Sequence, residues 1–232
     1  MELIEGDIHK VIKTLPTNTY DILYTNPPFN SLTGAKWDKV LKWDELWSDI
    51  WRVLKPNGVV ILHSTQRFTI ELASSQIKNF KYKYTWKKNN STNFLVAKYQ
   101  PLRLCEDICV FYKKAGVYNP QMIGNEWNKK RNVKYGGSEA YWGECKTKNN
   151  VITDEGGHRG RFPNDLLEFN ISRSKTKEKN AGTRPTELID FILKTYSNKD
   201  SHVLDITCYD YRTGVRCLKL GRKYTGIDLN IV

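Results

Sequence analysis

Asn26-Pro27-Pro28-Phe29 follows directly on the apolar stretch Asp21 to Thr25, and this tetrapeptide has residue types that could carry a reaction. At the carboxyl end of a strand in an open α/β sheet, a rigid loop presents its groups into the crevice where ligands bind. Two successive prolines fix their φ angles and hold the Pro27 carbonyl in a stiff frame. The Asn26 side-chain oxygen and that carbonyl could then accept two hydrogen bonds from one exocyclic amine, while Phe29 offers a flat face on which a base could stack. An amine conjugated to a ring is a poor nucleophile. Acceptors that draw its hydrogens out of the ring plane free its lone pair, which is catalysis by positioning and electrostatics.

The elements needed to position this loop are legible around it. Tyr20 to Tyr24 and Val59 to Leu62 read as buried strands with a helix pattern between them, which is βαβ grammar. In that helix Leu46, Ile50 and Leu54 recur at helical spacing, and Pro56-Asn57-Gly58 is expected to end it. Trp43, Trp47 and Trp51 widen its apolar face and are expected to pack in the core. Further strands are predicted at Tyr82 to Trp86 and Asp107 to Phe111, the second apolar enough for a sheet interior. From 117 to 179 the composition shifts to Gly, Asn, Lys, Arg and isolated aromatics, and long loops are expected. Order returns at Arg184-Pro185-Thr186-Glu187, a helix start whose buried face is Leu188, Ile189, Ile192, Leu193 and Tyr196, with Asn198 closing it. Val203 to Asp205 and Lys223 to Asp228 are short strand patterns that each end in a carboxylate.

Composition sets the class of partner. The 232 residues carry 37 Lys and Arg against 25 Asp and Glu, a net charge of +12, which favours a polyanion. With 39% apolar residues the chain can bury a real core. No membrane span or secretion signal is expected, which points to a cytoplasmic protein. Cys105, Cys109, Cys145, Cys208 and Cys217 fit neither a disulfide framework nor a zinc knuckle, and no metal is expected. Each of His9, His63, His158 and His202 stands without ligand spacing and is read as structural or exposed. The insertion's cations, interleaved with Trp127, Tyr135, Tyr141 and Trp142, suit contact with phosphates and stacking on bases.

The tetrapeptide resembles the (D/N/S)PP(Y/F/W) motif of S-adenosylmethionine-dependent amino-methyltransferases, which act on adenine N6 or cytosine N4 in DNA. The flanking stretches extend the likeness: Gly6-Asp7 before a helix, Lys36-Trp37-Asp38, RVLKPNGVVIL from Arg52, FLVAKYQPLRLCEDICVFYKK from Phe94, Arg161-Phe162-Pro163-Asn164, and Val203 to Asp228. The motif order, NPPF first and the cofactor strand late, resembles the beta class. The resemblance implies a Rossmann-like α/β fold, a mostly parallel twisted sheet with helices on both faces and a loop-rich recognition insertion. It implies a catalytic half at 1–116, a target-recognition insertion at 117–179 and a cofactor-side half at 180–232. The catalytic residues would be Asn26, Pro27, Pro28 and Phe29. Asp7, Asp205, Thr213 and Asp228 would bind S-adenosylmethionine, Asp7 near the adenine and Asp228 at the ribose hydroxyls. Asn in the first motif position is more similar to the adenine-N6 enzymes. Double-stranded DNA would be the partner, contacted through Lys36, Lys129, Lys130, Arg131, Lys134, Lys146, Arg159 and Arg161. A homodimer or a heterodimer with an active paralogue is a further expectation.

The cofactor loop departs from the family pattern. Where relatives read approximately DPFxGSGTTG, this chain has Asp205-Ile206-Thr207-Cys208-Tyr209-Asp210-Tyr211-Arg212-Thr213-Gly214, with tyrosines in place of both GSG glycines. A tyrosine is expected to remove both the positive φ and the close backbone approach that glycine provides. The segment similar to HPTxKP reads Asn180-Ala181-Gly182-Thr183-Arg184-Pro185, without its His and first Pro. A second reading therefore stands beside the enzyme: a methyltransferase-like DNA-binding or partner subunit that has lost the cofactor. Asp7 as a helix cap, Asp205 as a loop brace and Asp228 as a solvated strand end are the plainer alternatives.

Overall fold

The computed structural model describes residues 1–29, 41–127, 159–171, 184–209 and 211–230. In chain order the first half forms β1 (Glu2–Glu5), α1 (Ile8–Thr14), β2 (Tyr20–Thr25), α2 (Trp43–Val53), β3 (Leu54–Ser64), α3 (Gln66–Ser75), β4 (Phe80–Thr92) and β5 (Arg103–Tyr112). Then come β6 (Ile123–Trp127), β7 (Arg159–Arg161), β8 (Leu166–Glu168), α4 (Thr186–Tyr196), β9 (His202–Asp205), α5 (Arg212–Lys219) and β10 (Lys223–Asp228).

Eight strands make one sheet in the order β1-β10-β9-β2-β3-β5-β4-β8. Every pairing in it is parallel except those that β5 makes with β3 and β4. The central strands are apolar on both faces, as a sheet covered on both sides requires. Leu23, Val60, Leu62, Cys109 and Phe111 join a core with α1, α2 and α3 residues. Their alternating neighbours Ile22, Tyr24, Val59, Ile61, Ile108 and Val110 join a second core with α4 residues. This is the doubly wound, Rossmann-like arrangement expected. From β2 the chain crosses through α2 to β3 on one side, and from β9 through α5 to β10 on the other. The carboxyl ends of β2 and β9 thus flank a topological switch point, where such sheets bind ligands.

Several local expectations are refined. Helix α2 ends at Val53 because the Leu54 N–H closes on Ile50 and the Arg52 and Val53 carbonyls accept from Asn18 and Thr19. Leu54 already pairs with Tyr20, so Pro56-Asn57-Gly58 lies in an irregular stretch of β3 instead of ending the helix. Trp43 and Trp47 are buried in the core, with Trp51 stacked on Trp47 at its edge. Helix α4 has the predicted buried face, and its C-cap is Ser197 rather than Asn198. The segment expected to be long loops contains strands in its described parts. One of them, β8, extends the main sheet along β4.

Residues Pro120–Pro163 form a separate compact unit. Its described part is the antiparallel pair of β6 and β7, with Ile123 opposite Arg161 and Trp127 opposite Arg159. At Gly160 the backbone is left-handed, φ +83°, and a Cβ there would stand 2.7 Å from the Gly124 carbonyl oxygen.

The loop from β9 to α5 corrects one expectation about the tyrosines. Tyr209 and Tyr211 hold φ values of 37° and 40°, so the left-handed turn is kept without glycine. The chain is pinned on both sides: Cys208 N–H donates to the Ile227 carbonyl, Tyr211 N–H to that of Cys208, and Tyr209 N–H to Asp228 Oδ2 at 2.9 Å. A left-handed L-residue costs about 1–2 kcal/mol, whereas glycine loses about 0.5–1 kcal/mol more in chain entropy on folding. Tyr211→Gly should therefore raise stability by about 0.5–1 kcal/mol, read as a higher urea midpoint at unchanged m-value; a lower midpoint would show that the tyrosine ring's packing outweighs the strain.

Candidate functional site

The Asn26 to Phe29 loop leaves the carboxyl end of β2 with Pro27 buried and Asn26 half-buried. Its asparagine is held by a side chain remote in sequence. Arg184, two residues before the start of α4, is buried and donates from Nη2 to Asn26 Oδ1 at 2.6 Å. The same guanidinium donates from Nε to His63 Nδ1 at 3.1 Å. Because Arg only donates, that bond makes Nδ1 an acceptor and leaves the His63 proton on Nε2, 3.0 Å from the Tyr24 hydroxyl. Burial, reinforced by the Arg184 charge, pushes the His63 pKa well below its ordinary value, so the ring is neutral. This histidine, read from sequence as structural or exposed, is fully buried beneath the loop.

Arg184 is also paired with Glu106. Nη2 lies 2.8 Å from Glu106 Oε2, an ion pair off the hydrogen-bonding line, and Lys88 Nζ donates to Oε1 at 2.8 Å. Burial alone would raise the Glu106 pKa, but the Arg184 and Lys88 charges outweigh it and hold the carboxylate ionised. The guanidinium carbon stands 5.4 Å from the Trp86 ring centre and 6.0 Å from that of Phe29. Phe29 itself packs against Phe68, their ring centres 5.6 Å apart.

On the other side of the loop, Thr25 ties β2 to β9. Its hydroxyl donates to Asp205 Oδ1 at 2.6 Å and lies 2.6 Å from the Thr207 hydroxyl. Asp205 also accepts from the Thr207 N–H at 3.2 Å and from the Tyr224 hydroxyl at 3.2 Å. It is buried, and it braces the loop after its strand. Burial pushes its pKa up to about 6, against the lowering effect of those three donors.

The two other acidic residues meet at the same sheet edge. Asp228 ends β10 half-buried, with Oδ2 accepting from Tyr209 N–H and Oδ1 from Asn230 N–H. Its carbonyl accepts from Gly6 N–H at 2.8 Å, which sets Asp7 beside it. Asp7 caps α1, accepting from His9 N–H at 2.9 Å. Thr213 lies half-buried in the first turn of α5. Among the described residues no cluster of three or more metal-ligating side chains occurs, and no helix is long and apolar enough to cross a membrane.

Of the residues expected to contact DNA, Lys36, Lys129, Lys130, Arg131, Lys134 and Lys146 lie outside the described residues, as does the Arg159 side chain. Arg161 is exposed on β7. Sequence reasoning missed an exposed apolar loop on the carboxyl edge of the main sheet, between β4 and β5. Phe94, Leu95 and Tyr99 are 75%, 84% and 88% exposed there. Arg103 clamps its base by donating to Asn93 Oδ1 at 2.9 Å. Reasoning from sequence also missed Arg184, Glu106 and Lys88. The one available signal was Glu106, a carboxylate beside the apolar run Ile108 to Phe111, which needs a cation once buried.

Two stability measurements follow. Glu106→Ala removes the carboxylate shared by Arg184 and Lys88 and should cost about 3–5 kcal/mol in urea unfolding, where a loss below about 1 kcal/mol would mean that water reaches the pair. For Asp205 the folded pKa lies above the unfolded one, so its contribution is full below about pH 4 and is lost as pH rises through about 6. Compared with Asp205→Asn, the unaltered chain should lose on the order of 3 kcal/mol between pH 4 and pH 7; parallel pH profiles would contradict this assignment.

A family model described as DNA methylase matches residues 20–231. DNA adenine methyltransferase YhdJ of Escherichia coli K12 is 25% identical over 242 residues, spanning 98% of this chain and 78% of that protein. Among solved structures, the M1.HpyAVI–SAM complex superposes with a TM-score of 0.60 at 21% identity, covering 99% of this chain and 94% of the other. The cytosine-N4-specific PvuII DNA methyltransferase gives 0.65 at 14% identity, covering 98% and 81%. These two share the fold, and the family match over nearly the whole length settles the class: the chain belongs to the DNA methylase family of N6-adenine and N4-cytosine methyltransferases.

Proposed function

We propose that this protein is an S-adenosylmethionine-dependent DNA methyltransferase acting on an exocyclic amine, adenine N6, in duplex DNA. The observation that carries the reading is the Asn26-Pro27 acceptor pair, held at the carboxyl end of β2 beside the acid-tipped ends of β9 and β10. Asn in the first motif position supports adenine, as does the name of the YhdJ relative.

The residues present fit the cofactor. Asp228, aligned by two backbone N–H groups at a strand end, suits the ribose hydroxyls; Asp7 would lie near the adenine, and Asp205 and Thr213 would flank the loop. The left-handed backbone at 209 and 211 gives this loop the turn that glycines give its relatives. When bound, S-adenosylmethionine supplies an electrophilic methyl group on a sulfonium. The target base would leave the duplex at a cost of a few kcal/mol and rest against Phe29. Asn26 Oδ1 and the Pro27 carbonyl would accept the two amine hydrogens and localise the nitrogen lone pair. Both acceptors are neutral and weakly basic, so the proton released leaves to water. Lys36, Lys129, Lys130, Arg131, Lys134, Lys146, Arg159 and Arg161 would grip phosphates, with 117–179 reading the target.

Tyr209, Asp210 and Tyr211 favour a second reading, an inactive DNA-binding or partner subunit, since these side chains would fill or repel the methionine end of the cofactor. Calorimetric titration with S-adenosylmethionine, with and without DNA, separates the two: micromolar binding supports the enzyme, and no heat from a folded chain that still binds DNA supports the subunit. Asn26→Ala should lower methyl transfer by about a hundredfold or more while DNA affinity stays within a few-fold. Retained transfer in that variant would remove the mechanism.

A further inference from the structure

The two ends of an asparagine amide are nearly the same size, yet only the oxygen accepts a hydrogen bond from an amine. Something must decide which end is presented. The Arg184 guanidinium is always protonated and has donors only. It lies 2.6 Å from Asn26 Oδ1, so a reversed amide would point its own NH₂ hydrogens at a cation. The guanidinium has little freedom to follow such a reversal. Its Nε is bonded to His63, its Nη2 is paired with Glu106, and it lies against the Trp86 and Phe29 rings.

We infer that Arg184 is a positioning residue for methyl transfer: it sets the Asn26 amide so that Oδ1, which accepts two hydrogen bonds, serves the guanidinium and the target amine together. The inference rests on the function proposed above. It assigns a reaction role to a residue that is otherwise only the lead-in to α4. Glu106, by neutralising and orienting the guanidinium, acts one step further back.

A carboxylate in place of Asn26 has two equivalent oxygens and needs no orienting, which gives the test. Methyl transfer from tritiated S-adenosylmethionine to unmethylated genomic DNA is compared for Arg184→Gln and Arg184→Lys, each alone and combined with Asn26→Asp. With Asn26 present, Arg184→Gln should lower kcat by about tenfold to a hundredfold, with KM for DNA unchanged. In the Asn26→Asp background the same change should cost less than about fivefold. Arg184→Lys, which keeps a donor-only head, should restore part of the loss. If Arg184→Gln does not fold, the Lys variant in the two backgrounds carries the same comparison.

Equal losses in both backgrounds would reduce Arg184 to a structural role. A gain in activity on its removal would show that it sequesters the oxygen; either result overturns the inference. An independent readout is the ¹⁵N side-chain amide of Asn26, expected as one slowly exchanging pair in the unaltered chain and as averaged or doubled signals in Arg184→Gln. Unchanged signals in that variant would also overturn the inference. An unaltered chain with an ordered amide and no methyl transfer would fail the functional reading and take the inference with it, whereas an active chain with equal losses fails the inference alone.

Discussion

One buried cation organises the carboxyl edge of the main sheet. The Arg184 guanidinium touches the loop after β2 through Asn26, β3 through His63, β5 through Glu106, and β4 through the face of Trp86. Taking a charge out of water costs several kcal/mol unless it is paired and bonded. Here the pairing is supplied by Glu106, whose second oxygen is held by Lys88. The consequence is mechanical as well as electrostatic, because satisfying the guanidinium requires partners on three strands and one loop to be in place together. The stiffness of Asn26-Pro27-Pro28-Phe29 therefore has two sources, proline φ angles within the loop and the buried ion pair beneath it.

A second anchor holds the residue next to it. Thr25 is the last residue of β2, and its hydroxyl reaches across to Asp205 and Thr207 at the end of β9. Thr25 and the residue that follows it thus take partners from β9, which begins at His202, and from Arg184, ahead of α4. The alternation of the strand sends Thr25 and Asn26 in different directions, so their two partners differ, and the switch point is closed from both sides. Protonation of Asp205 bears on this closure because its carboxyl receives the Thr25 hydroxyl directly.

This division explains what could be read from the chain alone. The strand–NPPF junction, the α2 and α4 faces, and the acid-tipped strands are local patterns of period 2 or 3.6, visible within a dozen residues. Arg184 and Asn26 are 158 positions apart, and no local pattern relates them. Arg184 reads as the lead-in to a helix, His63 as an isolated histidine, and Glu106 as one charge in a strand. Their meaning comes only from the strand order, which brings β2, β3, β5 and β4 side by side. Strand β8 escaped notice for a related reason: a three-residue strand at the edge of a sheet carries too few residues to show a period.

The tyrosines at 209 and 211 show the same principle from the opposite side. Glycine is the usual signature of a left-handed turn because it adopts one without steric cost. In this loop the turn persists without glycine because the strand ends over-determine it, through the Ile227 and Cys208 carbonyls and the Asp228 carboxylate. Asp228 holds the Tyr209 N–H through a side-chain oxygen, so the carboxylate that ends β10 also shapes the loop after β9. Path and chemistry are therefore separable at these positions. The backbone course follows from partners on β10, while the side chains at 209 and 211 are free to differ from glycine without changing that course.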